Sequence, residues 1–135
     1  MNNKSPANNA AQSQTLPDPE QMKQYVAIWR HRIAVQQAEA ERLAAQARLD
    51  AQQIAIMLRN QFNATRVILF GSLVRGGFAA GSDIDLAVAD LPKAEFFAAM
   101  AAANALAHTW VDLKPLEALQ PHFRSRVLET GEDLL

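Results

Sequence analysis

The longest constraint in this 135-residue chain is a stretch of more than forty residues, following Pro19 and running to about Phe62, that contains neither proline nor glycine. It opens on "DPEQ". Asp18 is placed as an N-cap, Pro19 at the first helical position, and Gln21 three residues on closes a capping box. A helix is therefore expected over residues 18–62. Within it Met22, Val26, Trp29, Ile33, Gln36, Ala40, Leu43, Ala47, Asp50, Ile54 and Met57 alternate at spacings of four and three, a mostly apolar stripe interrupted by Gln36 and Asp50. Such a stripe serves either to pack on the chain's own domain or to dock a partner, and Trp29, Ile33 and Leu43 are the residues expected to do the second.

Ahead of the helix, residues 1–17 are rich in Asn, Gln, Ser and Ala and short of large apolar groups. Too little surface is available there to offset ordering entropy, so a disordered tail is expected. After the helix, three segments read as strands: "RVILF" from Arg66, "DIDLAV" from Asp83 and "TWVDL" from Thr109. Between and after them come an alanine-rich helix, "KAEFFAAMAAANALA", and a terminal helix, "PHFRSRVLETG", stopped by Gly131. The alternation points to a small α/β domain with a mixed sheet over residues 63–135.

Composition narrows the function. There are no cysteines, and the three histidines are scattered, so neither a disulfide framework nor a zinc site is expected. A net charge of -1 argues against a basic nucleic-acid-binding surface, so no direct nucleic-acid partner is expected. No apolar run reaches the length of a membrane span, and the N-terminus has no hydrophobic signal core, so a cytoplasmic protein without a membrane partner is expected.

The chemistry is concentrated in "LFGSLVRGGFAAGSDIDLAVADL", residues 69–91. Gly71 lets backbone approach a ligand closely, and Ser72 adds a hydroxyl beside the N–H groups of a turn, a concavity suited to phosphate oxygens. Asp83 and Asp85 stand two apart on a strand, so their carboxylates leave one face about 7 Å apart along the chain and can converge on a hard cation such as magnesium. Each part alone has a bland alternative: Gly-Ser as an ordinary strand-to-helix turn, the two acids as a solvated strand face. The combination is more specific, with a chance expectation on the order of one in a thousand for Gly-Ser, ten residues, then Asp-x-Asp. A third acid, Asp112 in "WVDLKPL", lies on a strand that could adjoin the first two, or is a surface acid on an edge strand.

"GSLVRGGFAAGSDIDLAV" followed by "VDLKPL" resembles the minimal nucleotidyltransferase domain of the DNA polymerase beta superfamily, over roughly Arg66 to Leu134. The resemblance implies that Gly71 and Ser72 bind the triphosphate of ATP. It also implies that Asp83 and Asp85 hold Mg2+, and that Asp112 completes the metal site and helps activate the acceptor hydroxyl. Arg75 matches an arginine common after the Gly-Ser of the family and stays outside the site, as an anchor of the turn. Within the superfamily the chain resembles antitoxins of modules that pair a minimal nucleotidyltransferase with a HEPN-domain ribonuclease toxin, which implies AMP transfer from ATP to a toxin tyrosine. Two alternatives stand beside it: an aminoglycoside-type small-molecule adenylyltransferase, for which little chain remains beyond the core, and a binding module that neutralises its partner by contact alone.

Overall fold

The computed structural model describes residues 15–135. The expected disordered tail lies, up to residue 14, outside the described residues. Helix α1 spans Pro19–Phe62, and its start follows the capping box: the Gln21 N–H donates to Asp18 Oδ1 at 2.8 Å, and the Asp18 N–H donates to Gln21 Oε1 at 3.1 Å. It ends where Asn63 turns left-handed (φ 60°), with the Ala64 N–H reaching back to the Leu58 carbonyl at 3.1 Å.

Four strands form one sheet. Strand β1 is Arg66–Phe70, helix α2 the single turn Ser72–Arg75, β2 Ile84–Ala89, α3 Phe96–Leu106, β3 Val111–Pro115, α4 Pro121–Thr130 and β4 Glu132–Asp133. The order across the sheet is β3-β2-β1-β4, with β1 antiparallel to β2 and β4 and β2 parallel to β3. The mixed α/β architecture with a long N-terminal helix matches the expectation from sequence. Strand β3 begins two residues later than expected, because Thr109 is spent holding the preceding loop, its hydroxyl donating to the Ser82 carbonyl at 2.9 Å. Strand β4 was not expected at all.

Period-two alternation sends side chains to two separate cores. Val67, Leu69, Ile84, Leu86, Val88, Val111 and Leu113 face one way, against Ala51, Ile54 and Leu58 of α1 and Ala99 and Ala103 of α3. Ile68, Phe70, Ala87 and Ala89 face the other way, against Leu116, Leu119 and Val127. Fully buried Ile54 and Leu58 contribute on the order of 1.5–3 kcal/mol each. Asparagine 104 ties α3 to β3: its carbonyl accepts the Val111 N–H at 2.8 Å and its amide donates to the Val111 carbonyl at 3.1 Å.

The compact unit that holds the sheet begins at Gln37, inside α1, and runs to Leu135. The α1 stripe thus has two fates. Ala47, Asp50, Ile54 and Met57 are buried, whereas Met22 and Trp29, with their neighbours Tyr25 and Ile28, are exposed. Asp50, which breaks the stripe in sequence, lies on its buried part at 2 % exposure.

Candidate active site

The strand β1 ends at Phe70 and the chain turns at once through Gly71, whose φ is +80°. A side chain there would be strained for that reason alone, but space is the harder limit. A Cβ on Gly71 would stand 2.1 Å from Asp85 Oδ2. Glycine is required because the backbone of the turn lies directly against a carboxylate. The N–H groups of Val74 and Arg75 close back on the Gly71 carbonyl at 3.1 and 3.0 Å. Gly71 offers no side-chain cap, so Ser72 and Leu73 head the turn with their N–H groups uncapped and the half-buried Ser72 hydroxyl beside them.

The loop to β2 is pinned in three places. The Ser82 hydroxyl accepts the Ala79 N–H at 3.0 Å, the Ser82 carbonyl accepts the Thr109 hydroxyl, and the Ile84 N–H donates to the Trp110 carbonyl at 2.9 Å. These bonds fix Asp83, which is exposed and stands one residue ahead of β2 rather than within it. Asp85 is in β2, partly buried, in register with Phe70 on one side and with Asp112 of β3 on the other. The acid most distant in sequence is thus the direct cross-strand neighbour of Asp85. In parity both belong to the face opposite Ile84, Leu86, Val111 and Leu113.

Lys114 completes the group. Two residues beyond Asp112 on the same strand, it donates from Nζ to Asp112 Oδ2 at 2.5 Å, with both side chains about a third exposed. Its i+2 spacing from Asp112 in "VDLKPL" is the signal by which sequence reasoning could have found it. Burial raises the pKa of Asp85, the negative charge of Asp112 raises it further and Asp83 adds to it; Lys114 and Arg75 pull it down without cancelling the rise. Carboxylates crowded in this way favour a bound cation.

Among the described residues no three His, Cys, Asp or Glu side chains are gathered closely enough to hold a metal ion as they stand. Asp112 Oδ2 is instead taken by the Lys114 ammonium. The donor chemistry nonetheless fits magnesium: all-oxygen carboxylates, two of them in register, beside a turn suited to phosphate, which ordinarily supplies the remaining ligands of that ion.

This constellation of Gly-Ser turn, strand-borne acids and a mixed sheet backed by helices coincides with a family model. Residues 52–135 match the family described as polymerase beta, nucleotidyltransferase. The chain belongs to the polymerase beta nucleotidyltransferase family.

The family domain therefore begins within α1 and includes Ile54, Ala55, Met57 and Leu58 of the helix residues that fill the core. Solved structures agree in fold. One described as a minimal nucleotidyltransferase is 27% identical with a TM-score of 0.57, covering 66% of this chain and 93% of that one. A mutant of the toxin-antitoxin MntA-HpeT is 26% identical with a TM-score of 0.52, covering 62% of this chain and 69% of the other. A toxin-antitoxin with AMP-PNP is 24% identical with a TM-score of 0.54, covering 64% and 72%. No curated protein sequence matches the chain at a significant level. Membership of the nucleotidyltransferase family supports transferase activity, and the fold is like that of MntA in toxin-antitoxin complexes. No helix among the described residues is long and apolar enough to cross a membrane.

Proposed function

We propose that this protein is an antitoxin enzyme that transfers AMP from ATP to a tyrosine hydroxyl of a HEPN-type ribonuclease toxin and so silences it. The observation that carries the reading is the register of Asp85 with Asp112 directly against the Gly71 turn. Family membership supports the transfer, and likeness to a toxin-antitoxin chain supports a protein acceptor. A neighbour of the same fold that holds AMP-PNP supports ATP as the donor.

In this reading the N–H groups of Ser72 and Leu73, with the Ser72 hydroxyl, hold phosphate oxygens, and Gly71 brings them up to Asp85. Asp83, Asp85 and Asp112 would hold Mg2+, which when bound neutralises triphosphate charge and lowers the pKa of an attacking hydroxyl. Lys114, which bonds to Asp112 in this structure, would give up that bond if the carboxylate held Mg2+. A tyrosine suits the site because its phenol, with an ordinary pKa near 10, gives up its proton far more readily than an aliphatic alcohol. Its oxygen bonds to the α-phosphorus as the bond from that phosphorus to the bridging oxygen of the β-phosphate breaks. Pyrophosphate leaves with the bonding electrons, and the phenolic proton passes to the Asp112 carboxylate and on to solvent. The AMP left behind adds bulk and negative charge to a surface that must bind RNA phosphates.

The test is to incubate the protein with its toxin, ATP and magnesium, remove the protein, and weigh the toxin. An inactive toxin carrying adenylyl mass is the expected result. Inhibition without added mass would make the protein an antitoxin that acts by contact alone.

A further inference from the structure

Helix α4 lies along the end of β1 nearest the acids. The Phe123 ring meets Phe70 edge-on, with centroids 5.7 Å apart and planes at 79°, and Phe70 is the residue in register with Asp85. Behind that contact is a recess of about 140 Å3, walled by Phe70, Gly71 and Arg75 on one side and by Phe123, Arg126 and Val127 of α4 on the other. At roughly 30 Å3 per water it has room for a few waters or a phosphoryl group.

Two arginines line this small space, one from each wall. Three arginines have carboxylate partners: Arg42 with Glu39 at 2.7 Å, Arg48 with Glu132 at 2.7 Å and Arg66 with Asp133 at 2.8 Å. Among the described residues neither Arg75 nor Arg126 makes an ion pair within 4 Å. Both arginines are solvent-exposed, and an anion in the recess they line is attracted by both positive charges. The planar fork of a guanidinium matches phosphate oxygens two at a time. Gly71 belongs both to this recess and to the turn against Asp85, so an anion here is continuous with one held at Ser72.

We propose that Arg126, facing Arg75 across the recess, is a positioning residue that binds the terminal phosphates of the nucleotide and the pyrophosphate that leaves. The identity of the anion rests on the nucleotidyltransferase reading above. Held at its far end by the two arginines, the triphosphate lies along the turn with its α-phosphorus toward the acids, and Arg126 acts on the reaction through that alignment.

The experiment measures binding of inorganic pyrophosphate, ATP and AMP, each with magnesium, to the full chain and to Arg126→Gln, Arg126→Lys and Arg124→Gln. Arg126→Gln is expected to weaken pyrophosphate and ATP about tenfold while leaving AMP unchanged. Arg126→Lys is expected to recover most of the loss, and Arg124→Gln, a neighbour outside the recess, to behave as the parent. Pyrophosphate binding that is undetectable in the parent, unchanged in Arg126→Gln, or equally weakened in Arg124→Gln would overturn the assignment. Pyrophosphate bound through Arg126 by a protein that transfers no AMP would sink the transferase reading and leave this subsite standing. Transfer that ignores Arg126→Gln would do the reverse.

Discussion

Buried Asp50 of α1 holds the loop that leads into β3 by accepting the backbone N–H of His108 at 2.8 Å. The His108 Nδ1 lies 3.0 Å from the same carboxylate oxygen, and the Gln46 amide donates to the other oxygen at 3.0 Å. Burial by itself would raise the Asp50 pKa, but the His108 N–H, its ring and the Gln46 amide together outweigh burial and hold it below the ordinary carboxylate value. A carboxylate whose pKa falls on folding adds stability above its unfolded value, near 3.9, and loses it as the pH drops through the lower folded value. Acid titration of the parent should therefore show stability falling below about pH 4. Asp50→Ala should reduce that dependence and cost about 1–3 kcal/mol at pH 7, since it leaves the His108 N–H without its acceptor. Denaturant unfolding at pH 7 and pH 3 checks both.

Gly71→Ala should disable the site. The new methyl meets Asp85 Oδ2 and the φ of +80° strains any L-residue, so about 1–3 kcal/mol of stability should be lost along with nucleotide binding. Thermal melts and ATP titrations of the variant are the measurement, and binding equal to the parent would disprove the close approach.

Asp85→Asn should separate stability from activity. Because its pKa is raised in the fold, the Asp85 carboxylate favours folding only at low pH, and that contribution disappears as the pH rises through the folded value. At pH 7 the amide should therefore melt higher than the parent while AMP transfer is abolished. A lower Tm would mean that burial and the neighbouring acids do not disfavour the Asp85 charge in the fold.

Asp112→Ala should lower turnover far more than ATP affinity, as expected of a group that acts on the acceptor hydroxyl. It also releases Lys114, so Lys114→Met serves as the comparison: it should change metal dependence without the same loss of turnover. Steady-state kinetics across a magnesium series distinguishes the two.

Gly131→Ala tests the strand that sequence reading missed. A Cβ there would stand 2.4 Å from Ile68 Cγ2 and 2.5 Å from the Val127 carbonyl oxygen. Overpacking of this kind should cost about 1–3 kcal/mol and expose the β4 amides to hydrogen exchange.

What the sequence determined by itself was local. The capping box of Asp18 and Gln21, the apolar runs of β1 and β2, and the spacing from Gly71 and Ser72 to Asp83 and Asp85 are each set within a few residues of chain, so propensity and periodicity reveal them. Tertiary structure decided what depends on residues far apart. It chose which part of the α1 stripe is buried: Ala47 to Leu58 fill the sheet core, and Leu43, expected to dock a partner, packs against that core instead. It made Gly131, which ends α4 as expected with its N–H on the Val127 carbonyl, a close-packing position as well, its extended backbone (φ -75°, ψ 169°) leading into the two-residue strand β4. That strand is too short for any pattern to show; it exists because Glu132 and Asp133 find Arg48 and Arg66, and because the Leu134 N–H finds the Val67 carbonyl at 2.9 Å. Tertiary structure also put Asp112 beside Asp85, since parallel pairing of β2 with β3 sets a register that no spacing in the chain encodes. The physical reason is common to all of these: backbone preference acts over one or two turns, whereas burial, strand register and ion pairing are settled only when distant segments share the same water-free surface.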